Sequence, residues 1–203
     1  MKVVIALDSF KGSLTSLDAG EAAAVGVRRA IPEAQVRVRP LADGGEGTVE
    51  ALCRGLGGSL RVVRVEGPLG AEVECPYGIL PDGETAVIEM AGAAGLPLVP
   101  DGHRDPMKTS TFGVGQVIAD AIAQGCRRFI VGIGGSATND GGAGMLQALG
   151  FSLLDAQGAP IPRGAKGLER LRQVDGTGAL PELAQCRFRV ACDVTNPLCG
   201  PNG

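Results

Sequence analysis

The chain has 203 residues, 44% of them hydrophobic, and a formal net charge of −3, which is enough to bury roughly 70% of its unfolded surface in one domain or two small ones. No run approaches the ~18 apolar residues of a transmembrane helix, and the N-terminal residues lack signal-peptide order. With 3% aromatic residues and no tryptophan, there is neither a basic footprint nor a stacking platform for nucleic acid. These features predict a cytoplasmic protein with a small-molecule partner, no nucleic acid and no membrane.

Residues 1 to 66 read as βαβαβ: strand 2–8, helix 15–31, strand 35–41, helix 46–57 and strand 59–65. Ala19, Ala22, Ala23 and Val27 recur near helical spacing, Thr15 and Asp18 form a cap box, and Pro32 ends the helix. Strands alternating with helices predict a parallel sheet covered on both faces. The pattern changes at Gly67-Pro68-Leu69-Gly70, where two extended stretches, 71–80 and 84–91, flank the hairpin signal Pro81-Asp82-Gly83. This shift predicts a domain boundary, with 1–68 as the N-terminal part of one domain and 69–203 as a second α/β domain. A helix 112–125, strand 128–133, helix 141–149, hairpin around Asp155-Ala156-Gln157-Gly158 and strand 187–193 follow. The sequence then stops in a turn-rich loop, where domains seldom end, so a longer protein is expected.

Three apolar strands empty into turns that precede helical patterns. Phe129-Ile130-Val131 leads into Gly132 to Gly144, Val3 to Leu7 leads into Asp8-Ser9-Phe10-Lys11-Gly12-Ser13, and Val36 to Leu41 leads into Asp43-Gly44-Gly45-Glu46-Gly47-Thr48. Backbone N–H groups at such places suit a phosphate or carboxylate, and open α/β sheets bind ligands at the carboxyl ends of their strands. A site for a polyanionic small molecule is the expectation.

No segment supplies the Gly-x-x-x-x-Gly-Lys-Ser/Thr of a P-loop or the protein-kinase set. Gly132-Ile133-Gly134-Gly135-Ser136-Ala137 fits a dinucleotide fingerprint with Asp155 downstream, although Thr138-Asn139-Asp140 puts turn formers where the helix should already run. The six cysteines have no Cys-x-x-Cys pair, so buried thiols outrank a zinc site, and the single histidine, His103, lies in a turn-rich loop. Asp8, Asp43, Glu46, Asp140 and Asp193 stand at strand ends or in glycine turns. They are oxygen ligands suited to magnesium or to deprotonating a hydroxyl, and Lys11 is a cation for a carboxylate or phosphate.

The blocks Val4 to Ser13, Ala42 to Thr48, Glu66 to Gly70, Ile133-Gly134-Gly135-Ser136-Ala137-Thr138-Asn139-Asp140-Gly141-Gly142 and Ala191-Cys192-Asp193-Val194-Thr195-Asn196-Pro197-Leu198 resemble, in order, the bacterial glycerate kinases of the glycerate and glyoxylate pathways. The resemblance implies ATP- and Mg2+-dependent phosphorylation of D-glycerate. It also implies a three-layer flavodoxin-like or Rossmann-like parallel-sheet domain with a second α/β domain inserted into it. Family members are roughly twice as long as this chain. On chemical grounds Asp8 and Asp193 compete for the roles of general base and metal ligand, and Lys11 neutralises a substrate or phosphate oxygen. Ser9, the turn Asp43, Gly44, Gly45, Glu46 and Gly47, and the loop Gly134, Gly135, Ser136, Thr138, Asn139 and Asp140 would hold the nucleotide phosphates through backbone amides. Phosphorylation at the 2- or the 3-hydroxyl stays open, as does a homo-oligomer. An NAD-dependent oxidoreductase and a non-catalytic anion-binding fragment are the alternatives.

Overall fold

The computed structural model describes residues 1–10, 13–192, 194, 195, 197 and 199–201. Strands β1 (Lys2–Ile5) and β2 (Gln35–Val38) pair in parallel, Lys2 opposite Gln35 through Ile5 opposite Val38. The crossover between them is helix α1 (Ser16–Ala30). It starts as the cap box predicts: the Asp18 N–H donates to Thr15 Oγ1 at 3.1 Å, and the Thr15 hydroxyl donates to the Asp18 carboxylate at 2.8 Å. It stops before Pro32, with the Ile31 N–H on the Val27 carbonyl.

Helix α2 (Thr48–Leu56) follows and ends on Gly57 at φ 79°, a left-handed cap that glycine adopts without a Cβ clash. The chain then enters a second sheet. Strand β3 (Ser59–Glu66) pairs antiparallel with β4 (Glu72–Ile79) over eight residues across the Gly67–Gly70 turn. Strand β5 (Thr85–Glu89) pairs antiparallel with β4 and parallel with β6 (Arg128–Gly132), and β6 pairs in parallel with β9 (Arg187–Ala191). The sheet order is β3-β4-β5-β6-β9.

The α/β class is as expected, whereas the third strand of the βαβαβ reading leaves the β1–β2 pair for the five-stranded sheet. A five-residue connection, 67–71, delivers β4 beside β3, and closing a short loop costs less entropy than a distant parallel pairing. The Pro81-Asp82-Gly83 hairpin forms, with Gly83 at φ 70° and its N–H on the Leu80 carbonyl.

Strand β5 shows why this sheet is covered on both faces. Ala86 and Ile88 belong to a core with Tyr77, Phe129, Val114, Val117 and Ile118 on one side, while Val87 packs with Val49 and Cys53 of α2 on the other. Alternate residues of a strand point to opposite faces, and a strand buried twice reads as a continuous apolar run. Each such side chain contributes about 1.5–3 kcal/mol of burial. Val114, Val117 and Ile118 come from α4 (Phe112–Ala123). A short helix α3 (Met90–Ala94) runs on directly from β5 and was not anticipated, because Met-Ala-Gly-Ala-Ala carries no amphipathic period. Helix α5 (Ala143–Ala148) starts later than expected, since Gly141 and Gly142 still hold turn conformations at φ 59° and 82°. The hairpin at Asp155 is present as the Leu154–Pro160 bridge, and β7 (Ser152–Leu154) also pairs antiparallel with β8 (Gln173–Asp175). Cys53, Cys75 and Cys126 are buried free thiols, and no described helix is long and apolar enough to cross a membrane.

Candidate functional site

Three segments that are far apart in sequence meet at the ends of β2, β6 and β9. The Gly134 N–H donates to the Gly44 carbonyl at 3.0 Å. A Cβ on Gly44 would lie 2.5 Å from the Ala191 carbonyl oxygen, and one on Gly134 would lie 2.7 Å from Gly45 Cα. No side chain fits at either position, so glycine is required for the backbones to touch. The Asp8 turn is tied in from the other side: the Ser16 hydroxyl donates to the Leu7 carbonyl at 2.9 Å and accepts the Leu41 N–H at 3.1 Å.

Three clefts open around this junction. One of about 250 Å³ lies between Ser9, Ser13 and Thr15 and the residues Glu46, Gly47 and Glu50. A second, of about 300 Å³, lies between Asp43, Gly44 and the β9 end at Ala191 and Cys192. The third, of about 270 Å³, is lined by Ser136, Ala137 and Thr138 together with Thr109 and Arg104. Drug-sized ligands occupy pockets of about 300–1,000 Å³, so each cleft suits a small acid or one phosphate group rather than a whole nucleotide. Of the remaining expected residues, Asp8 and Asn139 are exposed, Gly45 and Gly135 lie in the two glycine turns, and Lys11 and Asp193 lie outside the described residues.

The amides of these turns are used differently from the expectation. Ser9 N–H donates to Asp8 Oδ1 at 2.6 Å, Gly45 N–H to Asp43 Oδ1 at 2.9 Å, and Thr138 N–H to Ser136 Oγ at 3.1 Å. Asp140, 1% exposed, accepts the N–H groups of Thr111 at 2.8 Å and of Gly142 and Gly144 at 3.1 Å, as well as the Thr111 hydroxyl. The Thr111 hydroxyl in turn accepts the Met145 N–H at 3.0 Å. The Ser9, Gly45, Thr138 and Gly142 amides therefore have acceptors within the protein. The short polar side chains of the turns take the acceptor role that an anion was expected to fill, and Asp140 is a positioning residue that locks the 134–142 loop to the starts of α4 and α5.

Helix α2 has a more distant cap. Glu89, at the end of β5, accepts the Val49 N–H at 2.6 Å. Burial raises its carboxyl pKa, the Val49 and Gly47 N–H groups pull it down, and the nearby Glu46 and Glu50 push it up again. Glu89, Arg104 and Thr111 were not among the expected residues. Glu89 could have been found as the acidic residue closing an apolar strand, the signal that singled out Asp8. Arg104, in a polar turn, carries no such signal.

For a hard dication the chemistry needs carboxylate oxygens, and Asp8 carries an exposed carboxylate. Among the described residues no three His, Cys, Asp or Glu side chains converge as a metal site. The dinucleotide reading fails at its acidic residue: Asp155 accepts the Gln157 and Ala159 N–H groups and pairs with Arg170 at 2.8 Å, contacts that lower its pKa. It also fails at the helix start, which comes at Ala143 instead of just after Ala137.

Glycine turns and small clefts at the ends of strands define an α/β protein whose candidate site lies where those strand ends meet. The chain belongs to the glycerate kinase family, whose family model matches residues 3–203. It is 52% identical over 201 residues to a glycerate kinase of Halalkalibacterium halodurans, covering 99% of this chain and 53% of that protein. It is likewise 52% identical to the glycerate 2-kinase of Escherichia coli, covering all of this chain and 53% of the relative. A crystal structure from Salmonella typhimurium LT2, of a protein assigned as a glycerate kinase 2, superposes with a TM-score of 0.91 at 51% identity, covering 100% of this chain and 55% of that one. The chain thus spans about half the length of the relatives it matches.

Proposed function

We propose that the protein is a kinase that transfers the γ-phosphoryl group of ATP to a hydroxyl of D-glycerate, with Mg2+ as the metal. The observation that carries this reading is the junction of Gly44, Gly134 and the β9 end, because it brings three small clefts to one place in a chain whose relatives are named glycerate kinases. The E. coli relative's name favours the 2-hydroxyl.

In this reading the attacking hydroxyl loses its proton to a carboxylate, Asp8 or Asp193, as its oxygen bonds to phosphorus and ADP leaves. Lys11 neutralises a developing charge, and Ser9, Glu46 and Gly47 line the first cleft. ATP supplies the phosphoryl group and Mg2+ shields its charge. The protein's own part is positioning, a contribution of up to about 7–11 kcal/mol of barrier reduction in well-oriented systems.

Steady-state kinetics test the assignment. Asp8→Asn should cut kcat far more than it weakens nucleotide binding, and equal losses in both would remove the base role. Lys11→Ala should raise the half-saturation constant for glycerate or for ATP, and unchanged constants would take Lys11 out of the site.

A further inference from the structure

We propose that the cleft lined by Arg104, Thr109, Ser136 and Thr138 is the subsite for the carboxylate of the acceptor acid, an inference that rests on the glycerate reading above. These four residues line a space of about 270 Å³ whose other walls include Leu96, Val99 and Asp105, the last paired with Lys108. Arg104 offers a planar guanidinium fork, the side chain best matched to a carboxylate. The Ser136 and Thr138 hydroxyls are 2.7 Å apart and can donate to or accept from an α-hydroxy acid. Thr109 anchors the wall beside them, donating to the Ala137 carbonyl at 2.7 Å.

Local charge selects the class of ligand. Arg104 pairs with Asp101 at 2.9 Å, and Lys108 with Asp105 at 3.0 Å, so the surroundings are neutral. A neutral rim holding one exposed fork suits a monoanion and gives a polyphosphate little to offset its repulsions. Position agrees, because Ser136 is two residues beyond Gly134, which touches Gly44. Two residues span at most about 7 Å, so an acid held here by its carboxylate has its hydroxyls close to the junction where the phosphoryl group is proposed to arrive.

The chain contains a single histidine, His103, exposed and next in sequence to the cleft residue Arg104, and its imidazole proton resonance is the probe chosen. D-glycerate, and lactate, which keeps the carboxylate and lacks the 3-hydroxyl, should shift this resonance with saturation. Glycerol, which lacks the carboxylate, should not. In Arg104→Gln the shift should vanish and the half-saturation constant for glycerate should rise about tenfold, with that for ATP in place, as expected for loss of one charge-assisted pair. Arg104→Lys should recover part of it, since the charge remains and the fork is lost.

A His103 resonance unmoved by glycerate in protein that phosphorylates it would overturn the subsite and leave the kinase reading standing. Inorganic phosphate shifting His103 at lower concentration than glycerate would also overturn it, by making the cleft a phosphate site. Saturable, Arg104-dependent shifts with glycerate would support the subsite even in protein without turnover, a case in which the kinase reading alone would fall.

Discussion

Removing the Asp140 carboxylate tests whether the 134–142 loop is held by a buried internal cap. In Asp140→Ala, the N–H groups of Thr111, Gly142 and Gly144 and the Thr111 hydroxyl lose their acceptor together. Each unsatisfied buried donor costs about 1–3 kcal/mol. The hydroxyl can rotate and water can reach part of the space, so the expected total is about 3–5 kcal/mol, within the range of large single-residue effects. For a domain of this size 1 kcal/mol is about 2–4 °C of Tm, which predicts a fall of about 6–20 °C. Asp140→Asn keeps one oxygen and turns an NH2 toward N–H donors, so its loss should be about half as large. Urea denaturation followed by circular dichroism gives the free energies, and an unchanged m-value would show that the compactness of the end states is unaltered. An Asp140→Ala protein within about 1 kcal/mol of wild type would refute the buried-cap reasoning.

The glycine junction predicts a contrast between positions. Gly44→Ala, whose Cβ would meet the Ala191 carbonyl, and Gly132→Ala, whose Cβ would meet the Gly44 carbonyl, should each abolish most glycerate turnover. Gly141→Ala, with open space around it at φ 59°, should carry only the left-handed backbone penalty of about 1–2 kcal/mol. Gly26→Ala, in an exposed turn of α1 with nothing near its Cβ, should stabilise the protein by about 0.5–1 kcal/mol, which a thermal melt would read. Glu89 has a folded-state pKa above its ordinary 4.5, so the unfolded chain releases this proton first. Its contribution to stability should therefore fall as pH rises from about 4.5 through the folded value and stay flat above it. Glu89→Gln, which keeps an acceptor for the Val49 N–H, should remove that dependence from urea titrations run at a series of pH values.

What was legible in the sequence was local. Thr15, Asp18 and Pro32 bound α1 within one turn of its ends, and Pro81-Asp82-Gly83 sets a hairpin from adjacent residues. The partner of β3 was not legible, because strand composition does not say which edge a strand will join. The site divides in the same way. The glycine turns stand out by composition, but the contacts of Gly44 with Gly134 and with Ala191 join residues 90 and 147 positions apart, counted from their numbers, and nothing local encodes them. The same holds for the caps. Glu89 reaches an N–H 40 residues away and Asp140 one 29 residues away, and neither pairing is encoded in adjacent residues.

The central claim is most directly tested by proton-coupled phosphorus NMR of the protein incubated with D-glycerate, ATP and magnesium, beside the longer E. coli relative. The account predicts a new phosphomonoester resonance that grows as ADP appears, a doublet if the 2-hydroxyl is phosphorylated and a triplet if the 3-hydroxyl is. No new resonance from this protein, under conditions in which the relative produces one, would contradict it.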